Sequence, residues 1–168
     1  MKKIVILLAL GLVACNAAFS QTLKLGWINS SDLLQMMPER AKADSDITKY
    51  ARSFQEQIDI MMKEYQSKGQ DFQSKEKTMT EAMKEVKIKE IQDLQNRIES
   101  TQQSAQEKLQ QKKQDVYEPI LDKATKAIQD VAKEKGYDYI FDKSQGSLLY
   151  GRDADNILPL VKAKLGIK

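Results

Sequence analysis

The stretch ITKYARSFQEQIDIMMKEY, residues 47–65, decides what kind of chain this is. Its apolar residues Ile47, Tyr50, Phe54, Ile58, Met61 and Tyr65 step by three, four, four, three and four, which lays one stripe along an α-helix. Phe72 and Met79 continue the stripe in steps of seven. Lys, Glu, Gln and Arg fill the positions between, side chains that favour helix and water together. So narrow a stripe is a coiled-coil seam rather than the broad face of a globular helix. A second stripe of the same kind follows at Ile91, Leu94, Ile98, Ala105, Leu109 and Val116. Gly69 weakens the first helix by about 1 kcal/mol relative to alanine without ending it.

Two stripes can belong to one rod or to a hairpin. Thr78-Met79-Thr80-Glu81 offers a capping box, with Thr78 on a free amide and Glu81 reaching back, and Thr80 is a second candidate cap. A break at 78–80 leaves runs of 39 residues on either side, 39–77 and 80–118. Antiparallel arms that start and finish at one body must be nearly equal, so the match favours a hairpin arm over 39–118. At 1.5 Å per residue each half reaches about 58 Å.

The flanks read differently. Leu23, Leu25, Trp27 and Ile28 around Gly26 suggest a strand. Ser31 is a candidate cap for a short helix through Leu33, Leu34 and Met37, and Pro38 suits a first helical position. Pro119 marks the place where the arm meets the body and redirects the helix. Beyond it Ile120, Leu121, Ala124, Ala127, Ile128, Val131 and Ala132 form a broader apolar face, and Gly136 ends the helix. Tyr137, Tyr139 and Phe141 then share one side of a strand. Asp142–Gly146 reads as a turn and Ser147–Tyr150 as the returning strand, a hairpin with the Trp27 strand as third member. Asn156 caps a last helix through Ile157, Leu160, Val161 and Leu165, with Pro159 in its first turn. The expected fold is α+β and predominantly α: a long antiparallel coiled-coil hairpin on a small β-sheet body of residues 21–38 and 119–168. A body of three short strands buries little surface and leaves sheet edges open, so an obligate oligomer is expected.

Met1-Lys2-Lys3 followed by an apolar run from Ile4 to Ala14 describes an export signal, too short for a membrane span. Ala18 and Ser20 suit a cut before Gln21, making 1–20 a signal peptide. Leu12-Val13-Ala14-Cys15 also fits a lipoprotein signal, in which a lipidated Cys15 would tether the chain to the outer membrane. Removing residues 1–20 takes away Lys2 and Lys3 and no acid, so the net charge falls from +3 to +1. A nearly neutral chain without an aromatic-interleaved basic patch gives no reason to expect nucleic acid.

Histidine is absent, which excludes a Ser-His-Asp triad and any histidine metal cluster. Gly146 and Gly151 lack the spacing and lysine of a phosphate loop. Asp142 and Asp153 read as turn and cap residues. No catalytic, cofactor-binding or metal residues are expected, and the arm is the remaining functional surface. It carries 15 bases and 16 acids, with five lysines against three acids over 75–89. Met61, Phe72 and Met79 belong to the seam. Met62 and Met83 stand less committed to it and are candidate contacts for a client, since methionine adapts to varied partners. Gly69 and Pro119 are the hinge candidates.

LGWINSSDLLQMMPE at 25–39, the charged hairpin, YEPILDKATKAIQDVAKEKGYDYIFDKSQGSLLYG at 117–151 and the final short helix together resemble the Skp/OmpH family of periplasmic chaperones for outer-membrane proteins. The resemblance implies a homotrimer joined through a small β-sheet body, with hairpins that shield unfolded outer-membrane β-barrel proteins without nucleotide. It also implies that Leu25, Trp27, Ile28, Ile128, Val131, Tyr137, Tyr139, Ile140, Phe141, Leu148 and Leu149 are assembly residues. The tip is less basic than in some relatives, so contact with anionic membrane is expected to be weak. An envelope adaptor coiled coil, tethered through Cys15, is the competing reading.

Overall fold

The computed structural model describes residues 23–167. The signal segment 1–20, the cut before Gln21 and Cys15 lie outside them. Strand β1 (Leu25–Ile28) leads into α1 (Ser30–Met36) and α2 (Pro38–Lys75). A 3-10 turn at Glu76–Thr78 reverses the chain into α3 (Glu81–Lys135), followed by β2 (Tyr139–Asp142) and α4 (Leu158–Leu165).

The two long helices run antiparallel. Lys123 pairs with Glu39, Tyr117 with Asp44 and Glu90 with Lys68, while Leu94 and Ile98 cluster with Met61, so one number falls as the other climbs. The 38 residues of α2 span about 57 Å and the 55 of α3 about 82 Å. The surplus of α3 passes the root of α2 and forms part of the body. Thr80, the second of the two candidate caps, starts α3 by accepting from the Met83 amide at 3.3 Å. Thr78 instead donates to the Lys75 carbonyl at 2.8 Å. α3 runs unbroken through Pro119, between the two residues tied to the root of α2.

The body core consists of Ile28, Leu33, Met37, Ala43, Ile120, Ala124, Ala127, Val131, Ile157 and Val161. Spacings of four, three and four put Ile120, Ala124, Ala127 and Val131 on one face of α3, and β1, α1 and α4 close over it. Asn29, rather than Ser31, caps α1 by accepting from the Asp32 amide at 3.3 Å. Pro38 opens α2 as expected. Gly136 adopts φ 66° and turns the end of α3, with the Tyr137 amide donating back to the Ala132 carbonyl at 2.9 Å. At the other end of the body the Asn156 side chain accepts from the Leu158 amide at 2.9 Å.

The sheet departs from the expected hairpin. β1 and β2 pair in parallel, Leu25 opposite Tyr139 through Ile28 opposite Asp142, and Ser147–Tyr150 forms no strand. The cause lies in Asp142–Gly146. Asp142 accepts from the Ser144 amide and hydroxyl at 2.9 Å each, the Ser147 hydroxyl donates to the Asp142 carbonyl at 2.9 Å, and Gly146 takes φ 71°. These bonds wind Lys143–Gln145 into a 3-10 turn and carry the chain to the β1 side. There Gly151 lies so close to Trp27 that a Cβ would stand 2.6 Å from the indole, whose Nε1 donates to the Arg152 carbonyl at 2.8 Å. The segment that should have returned beside β2 is instead strapped across Trp27. Tyr137 also falls outside β2; it packs under Gly26, where an added Cβ would meet its ring at 3.0 Å.

Candidate functional site

Two surfaces carry the chemistry this fold can offer: the outer edge of β2 and the faces of the arm. The Asp138 amide donates to the Lys24 carbonyl at 2.9 Å. In a parallel ladder alternate residues bond the same neighbour, so the backbone groups of Tyr139 and Phe141 face away from β1. Those two side chains are 58% and 44% exposed. The opposite sheet edge is covered, for the Ile157 amide donates to the Trp27 carbonyl at 2.9 Å and Asn156 bridges Trp27 in parallel. Beside the open edge lies a groove of about 430 Å³ between β2 and α3, lined among others by Leu34, Leu121, Thr125, Ile128, Tyr139 and Ile140. α3 therefore has two apolar stripes in the body: one sealed in the core, the other (Leu121, Ile128, Ala132) along this groove.

Asp142 pins the end of β2 to α1. Burial raises its carboxyl pKa, but hydrogen bonds from Ser30 and Ser144 outweigh that and hold it below the ordinary carboxylate range. The Ser30 amide reaches Oδ1 at 3.1 Å and the Ser30 hydroxyl reaches Oδ2 at 2.5 Å. At the other end of β2, Lys24 donates to the Lys135 carbonyl at 2.6 Å and lies 4.4 Å from the centre of the Tyr137 ring. Both ends of the edge strand are thus held by polar clamps, and the edge between them is presented in a fixed position.

The assembly residues expected from the resemblance divide into three groups. Trp27, Ile28 and Val131 are buried within the chain's own body. Tyr137, Ile140, Ile128 and Leu148 are half-buried, the first three along the groove. Leu25, Tyr139, Phe141 and Leu149 are exposed, Leu149 at 92%.

In the arm the seam is dry only at Met61, Leu94 and Ile98, with Tyr65 packed against them. Ile47, Tyr50, Phe54, Ile58, Ala105 and Leu109 are half-buried, and Phe54, Ile58, Ala105 and Leu109 border an open hollow of about 390 Å³. Met62 and Met83 are 39% and 54% exposed. Ile60, Val86 and Ile88 are exposed as well and were missed; their signal was position, as apolar residues off the stripe in a charged helix. Gly69 sits inside α2 with open space where a side chain would project, and Pro119 is exposed on α3. Among the described residues no cluster of His, Cys, Asp or Glu could hold a metal ion, and no helix is long and apolar enough to cross a membrane.

The family model described as outer membrane protein (OmpH-like) matches residues 24–165, nearly all of the described chain. An uncharacterized protein of Aquifex aeolicus (strain VF5) is 29% identical over 139 residues, covering 83% of each chain. Among solved structures, one from Caulobacter crescentus CB15, described as an outer membrane chaperone (OmpH-like), superposes with a TM-score of 0.77. It covers 85% of this chain and 83% of its own at 13% identity, a likeness of fold.

Proposed function

The chain belongs to the outer membrane protein (OmpH-like) family, and from that premise we propose that it is a periplasmic, ATP-independent holdase chaperone. Its clients are unfolded outer-membrane β-barrel proteins, shielded between the arms of a homotrimer. The observation that carries this reading is the half-open seam. An arm about 57 Å long keeps one small dry cluster and leaves Ile60, Met62, Met83, Val86 and Ile88 in water. A helical pair built only to be rigid would bury such residues. Unfolded barrel strands expose alternating apolar faces and unpaired backbone, which makes them aggregate. Dispersed soft contacts on long arms meet such chains without demanding a sequence, and each contact is weak enough to release a client that folds elsewhere.

The assembly part rests on the body. Tyr139, Phe141 and the second stripe of α3 form an uncovered edge and groove that other copies complete. The test is direct. The purified chain is titrated into urea-diluted outer-membrane barrel proteins, and light scattering is followed beside the oligomer mass from light-scattering chromatography. Scattering should fall to baseline near one trimer per client; scattering that stays unchanged across the titration rejects the holdase.

A further inference from the structure

We propose that Met62 and Met83 are a modification site: a peroxide oxidises their thioethers to sulfoxides, and the arm then loosens its hold on clients without unfolding. This rests on the holdase reading and adds how that hold is regulated. From residue 16 onward the sequence has no cysteine, so methionine carries all the sulfur of the described residues. The six methionines there stand in three pairs: Met36 with Met37, Met61 with Met62, and Met79 with Met83. Each pair divides the same way. Met37 is sealed in the body core, Met61 in the arm's dry cluster, and Met79 is half-buried at the tip. Met36, Met62 and Met83 face water, at 44%, 39% and 54% exposure. Met36 lies on the body, against Leu158 and Pro159 of α4, which leaves Met62 and Met83 as the exposed thioethers of the arm.

In the reaction a sulfur lone pair attacks one oxygen of the peroxide, the O–O bond breaks, and proton transfer leaves a sulfoxide and water. Sulfur gives up two electrons and the peroxide takes them, so hydrogen peroxide from outside the protein is the one co-reactant. Packing decides what the product does. Met61 sits among Leu94, Ile98 and Tyr65, with the Thr101 hydroxyl 3.9 Å from its Sδ. A sulfoxide there would bury a polar group in the dry cluster and open the arm. At Met62 and Met83 the new dipole stays hydrated and disturbs no buried cluster. The side chain nonetheless loses the soft apolar character by which it meets varied partners. Ile60, Val86 and Ile88 hold no sulfur to oxidise, so the grip on a client weakens and does not vanish.

The experiment treats the full chain with hydrogen peroxide, quenches it, and reads peptide masses, thermal melting and suppression of scattering from urea-diluted barrel proteins. Met62 and Met83 should each gain one oxygen before Met37 or Met61 gains any, and the melting temperature should hold. The concentration of chain that halves client scattering should rise at least about threefold, the low end of what two thioether contacts with client aromatics supply. Methionine sulfoxide reductases for both epimers should reverse that rise. The chain bearing Met62→Leu and Met83→Leu is compared with itself before and after peroxide, and its half-point should not move. Unchanged suppression by the doubly oxidised parent overturns the modification site and leaves the holdase standing. So does a loss that comes only with melting or that the reductases do not reverse, an equal rise in the leucine double variant, or oxidation of Met61 as fast as Met62. An untreated parent chain that fails to suppress scattering overturns both readings.

Discussion

Replacing Leu94 by alanine should loosen the outer arm and leave the body intact. Leu94 is 3% exposed and shares the arm's dry cluster with Met61 and Ile98. Buried leucine-to-alanine changes cost about 2–5 kcal/mol, the larger values belonging to sites that cannot collapse. Here the cluster is flanked by water on both faces of a two-helix layer, so the cavity can relax and about 2 kcal/mol is expected. The nearest dry packing is the body core around Ala43 and Ile120, well down the helices, so the loss has no second cluster to spread into. Native-state hydrogen exchange reads this directly, because amides that open locally report the local free energy. At about 1.4 kcal/mol per tenfold, exchange around residues 58–68 and 90–101 should quicken about 30-fold. Amides of β1, β2 and residues 124–131 should keep their rates. Equal acceleration in the body would mean that arm and body open as one unit, and no acceleration in the arm would mean that the cluster contributes nothing; either result refutes the reasoning.

Three further outcomes follow from the geometry. Gly151→Ala drives a Cβ into the Trp27 indole and should cost about 2 kcal/mol, with a shift in tryptophan fluorescence as the strap lifts; unchanged emission and melting would mean the strap yields freely. Asp142 has a lowered folded pKa, so its contribution to stability is full above its unfolded value and is lost as the pH falls through the folded one. Asp142→Asn should therefore destabilise the protein near pH 7, with the gap to the parent closing below about pH 4 in denaturant titrations. Met62→Asp with Met83→Asp should weaken suppression of client aggregation while leaving the melting temperature within about 2 °C, since both residues are exposed and neither belongs to a buried cluster; full suppression by the double variant would move client contact elsewhere on the arm.

The helices were legible because their signals are local. The seam spacing, Pro38 at the start of α2, Gly136 at the end of α3 and Thr80 at the tip each act within a turn or two of sequence. The sheet was not. β1 finds β2 across the whole arm, and nothing near Trp27 announces that its partner runs parallel to it. Asp142-Lys143-Ser144-Gln145-Gly146 reads equally as a hairpin turn or as a capped 3-10 turn, and Ser30 and Ser144 decide between them by bonding the Asp142 carboxylate. Of the residues expected at the assembly surface, Trp27, Ile28 and Val131 proved interior because one apolar pattern serves a private core and a shared one alike. Only depth separates the two, and depth is a property of the closed body.

The parallel pairing has a consequence for how this molecule comes into being. Leu25 and Tyr139 stand side by side although 113 residues lie between them, and closing so large a loop from a random chain is slow. The long helices remove that difficulty, since zipping from the tip downward delivers both ends of the arm to the same spot. The appendage that reaches outward is therefore also the splint on which the foot is set, and the foot can form only after the arm has closed.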